Sequence, residues 1–324
     1  MNAILLCQSD AWKRVYGPSQ LARLADMVGL EPRAYTIADA PDAELIFSTW
    51  GMPAPDADEI ASRFPSLKAV FYAAGSVQGF ARPFLERGVR VFSAWRANAV
   101  PVAEYTLAQI LLAVKGYFGA QAAMRSSRAR AAESAAAHPG MYDMKIGLLG
   151  CGAIGRMVAE KLKPFACEVW VYDPFVPDTV LEELGARPAT MAEIFGDCDV
   201  VSNHLANLPA TRGIIRREHF FSMKDSSTFI NTGRGAQLNE TDLYDLLKQK
   251  PSVTALLDVL QDEANSDDNP LNALPNCFLT PHIAGSMGNE VRRMAEYMID
   301  ECARFRAGDK SVHEVTPAML ETMA

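Results

Sequence analysis

The stretch MKIGLLGCGAIGRMVAEKL, residues 144–162, decides the fold. Its apolar first part predicts a short buried strand, and an amphipathic helix is predicted to begin near Ala153. Between the two elements, Gly150, Gly152 and Gly155 have the spacing G-x-G-x-x-G. The first glycine allows a tight turn, the second lets the backbone approach a pyrophosphate, and the third lets the helix pack on the strand.

A second predicted strand, residues 168–172, follows the helix and ends at Asp173, 18 residues after Gly155. The free N–H groups at the helix N-terminus, including those of Ala153 and Ile154, can bind phosphate. An acid at the end of the second strand accepts hydrogen bonds from a ribose 2′-hydroxyl and repels a 2′-phosphate. Strand, spacing and acid together predict a site for NAD rather than NADP. The alternative is a glycine turn in another kind of α/β domain, with Asp173 only opening a turn.

The composition is that of a globular enzyme of 324 residues, long enough for two domains, with 49% hydrophobic and 22% charged residues. The net charge of −8 argues against nucleic acid as a partner. No signal peptide or membrane span is expected, because residues 1–10 lack a basic start and Glu104 and Gln109 interrupt the most apolar helix. The six cysteines have no metal-binding spacing, so we expect reduced cysteines in a cytoplasmic protein and no metal site.

Short apolar runs alternate with helical stretches along the whole chain, which predicts an α/β protein with two doubly wound parallel sheets. Strands are predicted at residues 3–7, 33–37, 45–48, 69–73 and 89–92, and then at 145–149, 168–172, 199–203, 228–231, 253–257 and 277–280. A long helix is predicted to begin at Pro101, which is favoured in a first helical turn. An amphipathic helix over residues 289–307 is long enough to return to the first domain.

The chain organisation therefore suggests one domain inserted into another. A Rossmann dinucleotide-binding domain, residues 99–286, is expected to interrupt a flavodoxin-like substrate domain, residues 1–98 and 287–324. The alanine-rich stretch that ends at His138 is strongly helical by propensity but poorly amphipathic. It predicts either a surface helix or an arm that packs on a second subunit, and we expect a homodimer.

Three polar motifs follow the glycine motif in a fixed order. They are INTGRG with Arg234, the acidic stretch after LDV with Glu263, and TPHIAG with His282. With the glycine motif, they make the chain resemble the D-isomer-specific 2-hydroxyacid dehydrogenases from about Ala69 to Met294. That family includes glycerate, phosphoglycerate, hydroxypyruvate and D-lactate dehydrogenases.

The resemblance implies a role for each motif. Arg234 matches the substrate-binding arginine, His282 the acid/base histidine, and Glu263 the carboxylate paired with that histidine. A surface acid is the alternative reading of Glu263, and Asp262 would replace it if the register slipped by one residue. Other matched positions complete the expected site: the nicotinamide side is lined by His204, Thr232 and Asp258, and the substrate carboxylate meets the backbone N–H groups of Ser76 and Val77.

Some residues depart from the family pattern. Ser76 and Gln78 stand where the family often has Gly and Asp, and Ala206 replaces a usual proline. These departures leave the chemical groups of the site intact and put the choice of substrate in question.

The expected function is an NAD-dependent oxidoreductase that interconverts a small D-2-hydroxy acid and its 2-keto acid by hydride transfer, with reduction of the keto acid as a candidate main direction. One alternative is a dinucleotide-sensing binding protein of the corepressor type. Another is a phosphite or formate dehydrogenase. Formate dehydrogenases of this fold pair the histidine with glutamine, and Glu263 argues against that activity.

Overall fold

The computed structural model describes residues 1–138 and 140–323. Pro139 and Ala324, the last residue of the predicted substrate domain, lie outside that range. The chain divides into two compact units, which we name the outer unit, Met1–Pro101 with Ser286–Ala324, and the inserted unit, Val102–Gly285.

The strands alternate with helices as in an α/β protein. The strands are β1 Ala3–Leu6, β2 Ala34–Tyr35, β3 Leu45–Ser48, β4 Ala69–Tyr72, β5 Arg90–Ser93, β6 Met144–Leu149, β7 Cys167–Tyr172, β8 Arg187–Pro188, β9 Val200–Asn203, β10 Thr228–Asn231, β11 Thr254–Leu257, β12 Cys277–Leu279 and β13 Glu314–Val315. The helices are α1 Trp12–Val15, α2 Pro18–Val28, α3 Ala57–Arg63, α4 Ala81–Glu86, α5 Trp95–Ala113, α6 Tyr117–Met124, α7 Arg128–Ala136, α8 Ala153–Leu162, α9 Asp178–Glu183, α10 Met191–Asp197, α11 Arg217–Ser222, α12 Glu240–Gln249 and α13 Val291–Ala307.

The outer unit is built on a six-stranded sheet with the order β13-β5-β4-β3-β1-β2. The strands β1 to β5 are parallel, and β13 pairs antiparallel with β5. A stack of aromatic rings crosses three neighbouring strands, with ring centroids 5.0 Å apart for Phe47 and Phe71 and 4.8 Å apart for Phe71 and Phe92. The five strands predicted here are present, and β13 is an addition that residue patterns did not indicate.

The inserted unit is built on a parallel seven-stranded sheet with the order β12-β11-β10-β9-β6-β7-β8. The six predicted strands are present, and the short β8 extends the sheet. Strand order reverses at β6, which lies between β9 and β7. In open α/β sheets, ligands bind at the carboxyl ends of the strands at such a reversal. The two parallel sheets confirm the predicted fold class.

The long helix begins earlier than predicted. It was expected from Pro101, but α5 starts at Trp95 and contains that proline in its interior. Pro101 has no N–H group, so the carbonyl of Ala97 loses its helical partner while the chain remains helical. The alanine-rich stretch forms two helices, α6 and α7, and Gly116 precedes the first with a φ of 63°.

Over the described range, no single helix is both long and apolar enough to cross a membrane, and one bent pair, α5 with α6 at 64°, passes by length and composition only. Within the same residues, no group of three or more His, Cys, Asp and Glu residues has a metal-binding arrangement.

Candidate functional site

The glycine turn joins β6 to α8 at the reversal of strand order. Gly150 has a φ of 93°, and a Cβ there would lie 2.6 Å from the carbonyl oxygen of His204. A Cβ on Gly155 would overlap the carbonyl oxygen of Gly150. Both positions therefore exclude side chains. Gly152 differs, since a Cβ there would meet no atom within 4 Å, so this side of the turn is open to a ligand.

The N-terminus of α8 faces this opening without a capping side chain, because its N-cap residue is Gly152. The N–H groups of Ala153 and Ile154 lie in the first turn, where a helix provides no internal acceptor. An open, uncapped helix N-terminus after a glycine turn fits a pyrophosphate group.

Asp173 lies directly beside the turn. One carboxylate oxygen accepts a hydrogen bond from the backbone N–H of Cys151 at 2.6 Å. The other accepts from the N–H groups of Phe175 and Val176 at 2.8 and 3.0 Å. This acid is therefore held by three backbone groups next to the phosphate cradle, which fits the ribose of a dinucleotide.

His204 follows β9 and is only 8% exposed. Its Nε2 atom lies 2.9 Å from Oγ of Ser202, and burial lowers the pKa of the ring from 6.5 to about 3. Nδ1 of His204 is buried without a hydrogen-bond partner among the described residues. The ring is therefore neutral, and the backbone carbonyl of His204 packs against the glycine turn.

The turn after β10 carries Thr232 and Arg234. Thr232 is 6% exposed, and its hydroxyl lies 3.2 Å from that of Thr106 in α5. The side chain of Arg234 is partly buried and donates one hydrogen bond, at 2.8 Å, to the carbonyl of Gly233. Burial lowers the pKa of Arg234, and the negative charge of Glu263 opposes that change. The guanidinium keeps further N–H groups for a ligand.

His282 and Glu263 are in direct contact. The Nδ1 atom of His282 lies 3.0 Å from Oε2 of Glu263, and each side chain is 47% exposed. The neighbouring Asp262 instead accepts hydrogen bonds from the backbone and side chain of Asn265. The structure therefore pairs the histidine with Glu263, while Arg234 lies close enough to Glu263 to be affected by its charge.

Asp258 organises the loop that carries His282. It is 1% exposed and accepts hydrogen bonds from the hydroxyl of Thr280 at 2.6 Å and from the N–H groups of Ile283 and Ala284 at 2.9 and 2.8 Å. His282 itself has a φ of 54°, a conformation that few residues other than glycine adopt. The buried carboxylate holds the loop in this conformation.

In the outer unit, Ser76 and Val77 lie in the loop after β4. Buried hydroxyls hold the preceding carbonyls: Thr49 donates to Ala73 at 2.8 Å, and Ser93 donates to Ala74 and Gly75 at 3.0 and 2.6 Å. The N–H groups of Ser76 and Val77 have no acceptor among the described residues.

Gln78, in the same loop, donates from its side-chain amide to the carbonyls of Leu320 and Met323, each at 2.7 Å. This residue therefore connects the loop to residues 320–323.

Residue patterns missed the groups that hold these side chains in place. Tyr105, whose hydroxyl lies 3.1 Å from that of Thr280, and the buried amides of Asn203, Asn231 and Gln237 were not singled out. For Asn203 and Asn231 the available signal was that a polar residue ends an apolar strand, where a buried amide requires partners.

The match to a protein-family model falls within the inserted unit, Val102–Gly285. Residues 107–284, more than half of the chain, match the family model described as D-isomer specific 2-hydroxyacid dehydrogenase, NAD binding domain. The chain is 30% identical over 251 residues to (S)-sulfolactate dehydrogenase from Chromohalobacter salexigens, an alignment that covers 76% of this chain and 80% of that protein. It is 31% identical over 222 residues to D-3-phosphoglycerate dehydrogenase from Methanocaldococcus jannaschii, covering 67% of this chain and 41% of that protein.

Among solved structures, a phosphoglycerate oxidoreductase from Rhizobium etli has a similar fold, with a TM-score of 0.82, 20% identity, and coverage of 98% of this chain and 99% of that chain. The chain spans about two fifths of the length of the first curated relatives it matches.

The cofactor of the matched domain is NAD, which the glycine turn, the uncapped helix and Asp173 fit. The chain belongs to the D-isomer specific 2-hydroxyacid dehydrogenase family.

Proposed function

We propose that this protein is an NAD-dependent dehydrogenase that interconverts a small D-2-hydroxy acid and its 2-keto acid. The observation that carries the proposal is the contact between His282 and Glu263, at 3.0 Å, with Arg234 close enough to respond to the Glu263 charge. A proton-transferring ring, a carboxylate that orients it and a carboxylate-binding arginine are the groups that this reaction needs.

Arg234 binds the acid. Its planar guanidinium can hold a carboxylate with two parallel hydrogen bonds, and a further N–H group can polarise the C2 carbonyl. Its partial burial strengthens both interactions, because the charge is less screened by water.

His282 transfers the proton. Glu263 engages Nδ1, which leaves Nε2 as the atom that delivers a proton to the C2 oxygen in reduction or removes it in oxidation. When bound, NADH would supply a hydride for C2, so one hydride and one proton would convert the keto acid to the hydroxy acid. The carboxylate of Glu263 also compensates for the positive charge on the ring before the proton leaves.

We assign Ser76 and Val77 to the substrate carboxylate as well. Their N–H groups are without acceptors in the described part of the chain, while Thr49 and Ser93 hold the carbonyls of the same loop. Backbone N–H groups fixed in this way form an anion-binding concavity.

A panel of 2-keto acids assayed with NADH tests the proposal. The relatives are named for sulfolactate, phosphoglycerate and glyoxylate, so the panel should include sulfopyruvate, phosphohydroxypyruvate and glyoxylate beside hydroxypyruvate, pyruvate and longer homologues. Turnover of at least one acid, measured as loss of NADH absorbance, is the expected result. Tight NADH binding without turnover of any of them would favour a dinucleotide-sensing protein, and NADH formation from NAD⁺ with formate or phosphite would favour those activities.

The proposed assembly is a homodimer formed through α6 and its surroundings. Tyr117 and Met124 on α6 are 48% and 56% exposed and line the same pocket. Exposed large apolar side chains on one helix indicate a protein interface, and we propose a second copy of the chain as the occupant. Light scattering after gel filtration should give a dimer mass that Met124→Glu reduces, and a monomer mass at every concentration would contradict this assembly. The six free cysteines, five of them buried, favour a reducing compartment such as the cytoplasm.

A further inference from the structure

Three buried amide side chains form one network beneath Arg234. Asn203 at the end of β9, Asn231 at the end of β10, and Gln237 are all 0% exposed. Nδ2 of Asn203 donates to Oδ1 of Asn231 at 3.0 Å and to Oε1 of Gln237 at 2.6 Å. Buried amides are costly unless their hydrogen bonds are made, so this network specifies one arrangement.

The network holds the backbone of Arg234 from both sides. Oε1 of Gln237 accepts from the N–H of Arg234 at 3.2 Å, and Nδ2 of Asn231 donates to the carbonyl of Arg234 at 3.2 Å. Oδ1 of Asn231 also accepts from the N–H of Gly233 at 3.0 Å. The two peptide groups that set the direction of the arginine side chain are therefore anchored to buried amides.

Gly233 fits the same arrangement. A Cβ at this position would lie 3.0 Å from Oε1 of Gln237 and 3.1 Å from Nδ2 of Asn203, closer than most real contacts of a Cβ atom. The turn and the amides are packed together, so a change in one displaces the other.

The network also reaches the loop beside the cofactor site. Nε2 of Gln237 donates to the carbonyls of Leu205 and Ala206 at 2.7 and 3.0 Å, and Oδ1 of Asn203 accepts from the N–H of Leu205 at 3.2 Å. These residues follow His204, whose carbonyl packs against the glycine turn. Gln237 therefore connects the turn of Arg234 to the backbone next to the phosphate cradle.

We infer that Asn203 and Gln237 are positioning residues for Arg234, which set the direction of its guanidinium relative to the bound dinucleotide. The inference rests on the proposed role of Arg234. An arginine that binds both a carboxylate and a carbonyl oxygen must be placed within a fraction of an ångström of the reacting atoms, since a 1 Å misplacement can cost about 100-fold in rate. The amides supply that placement without touching the substrate.

The main variant is Gln237→Leu, which has a similar volume and removes every hydrogen bond of the amide. Its matched control is Asn276→Leu. Asn276 is also a buried amide of the inserted unit, and its Nδ2 donates to the carbonyls of Leu247 and Val253 at 3.0 and 2.8 Å, away from Arg234. Both variants should lower thermal stability. Gln237→Leu should also lower kcat/KM for the best keto acid by about 10- to 100-fold, while Asn276→Leu should not.

A double-mutant cycle with Arg234→Ala separates positioning from a general loss of structure. If Gln237 acts through Arg234, Gln237→Leu should reduce kcat/KM in the parent enzyme and add nothing in the Arg234→Ala background. Its effect on thermal stability should be the same in both backgrounds. Equal losses of kcat/KM in both backgrounds would overturn the inference. Asn203→Ser is the milder second variant, in case Gln237→Leu does not fold, and the same non-additivity is expected.

Amide hydrogen exchange tests the network without any substrate. Exchange in the peptide that contains residues 231–238 should become faster in Gln237→Leu and stay unchanged in Asn276→Leu. Unchanged exchange in Gln237→Leu would overturn the inference, whether or not a keto acid is turned over. Lack of turnover by the parent enzyme would instead contradict the proposed function, and the exchange measurement would still decide whether the amides hold the turn.

Discussion

The Nδ1 atom of His282 lies 3.0 Å from Oε2 of Glu263, although both side chains are about half exposed. An exposed ion pair contributes at most about 1 kcal/mol to stability, because water screens it. The contact therefore matters mainly for the orientation of the ring and for its charge during proton transfer.

Glu263→Gln should lower kcat for reduction of the best keto acid. The variant keeps the size and a hydrogen-bonding end but removes the carboxylate that orients the His282 ring and compensates for its positive charge during proton transfer. NADH binding, measured by fluorescence titration, should persist. Asp262→Asn is the control, since that carboxylate bonds to Asn265, and parental kcat in Glu263→Gln would make Glu263 a surface acid.

Arg234→Lys should reduce kcat/KM for the best keto acid by about 100-fold or more, although the charge is kept, because a lysine cannot form two parallel hydrogen bonds with a carboxylate. The affinity for NADH, measured by fluorescence titration, should change little. A lysine variant with near-parental kcat/KM would mean that the guanidinium does not bind the reacting acid.

His282→Asn should lower kcat for reduction by about 10²- to 10⁴-fold, the usual contribution of a general acid. NADH binding should persist, because the groups that fit the dinucleotide, the glycine turn, the uncapped helix and Asp173, are left unchanged. Steady-state assays with a parallel NADH titration test this prediction, and retention of parental kcat would exclude His282 as the proton donor.

Asp173→Ser should narrow the preference for NADH over NADPH, because it removes the charge that repels a 2′-phosphate. Asp173 also accepts three backbone hydrogen bonds, so a serine is expected to lower stability as well. Asp173→Asn is the matched variant, since it removes the charge and keeps one acceptor oxygen. Comparison of kcat/KM for the two cofactors is the measurement, and equal use of both by the parent enzyme would contradict the assignment.

The buried His204 should make the protein less stable in mild acid. Burial lowers the pKa of the folded ring from 6.5 to about 3, so the unfolded chain takes up a proton first as the pH falls. The contribution of the neutral His204 ring to the free energy of unfolding is complete above pH 6.5 and is lost progressively as the pH falls towards 3. At about pH 5 the free energy of unfolding is therefore lower by about 2 kcal/mol.

His204→Gln should therefore lose less stability than the parent between about pH 7 and about pH 5, as measured by denaturant unfolding without cofactor. His219→Gln is the control, because that ring is only partly buried. The same pH dependence in His204→Gln and the parent would mean that the ring is hydrated in the folded protein.

Much of the fold follows from the sequence alone, because the decisive signals are local. The spacing of Gly150, Gly152 and Gly155 reflects steric limits within a few residues, and apolar runs of strand length identify the strands of a buried parallel sheet. The motifs with Arg234, Glu263 and His282 singled out candidate site residues, but they left Asp262 as an alternative to Glu263.

Other features were decided by tertiary structure. The two-residue strands β8 and β13 exist only because a neighbouring strand offers its edge, and α5 continues through Pro101 although the local preference is to begin there. The choice of Glu263 over Asp262 depends on the direction of a loop that no short-range pattern encodes. The network of Asn203, Asn231 and Gln237 likewise requires residues from separate strands to meet in the interior, where an amide is stable only when its partners are present.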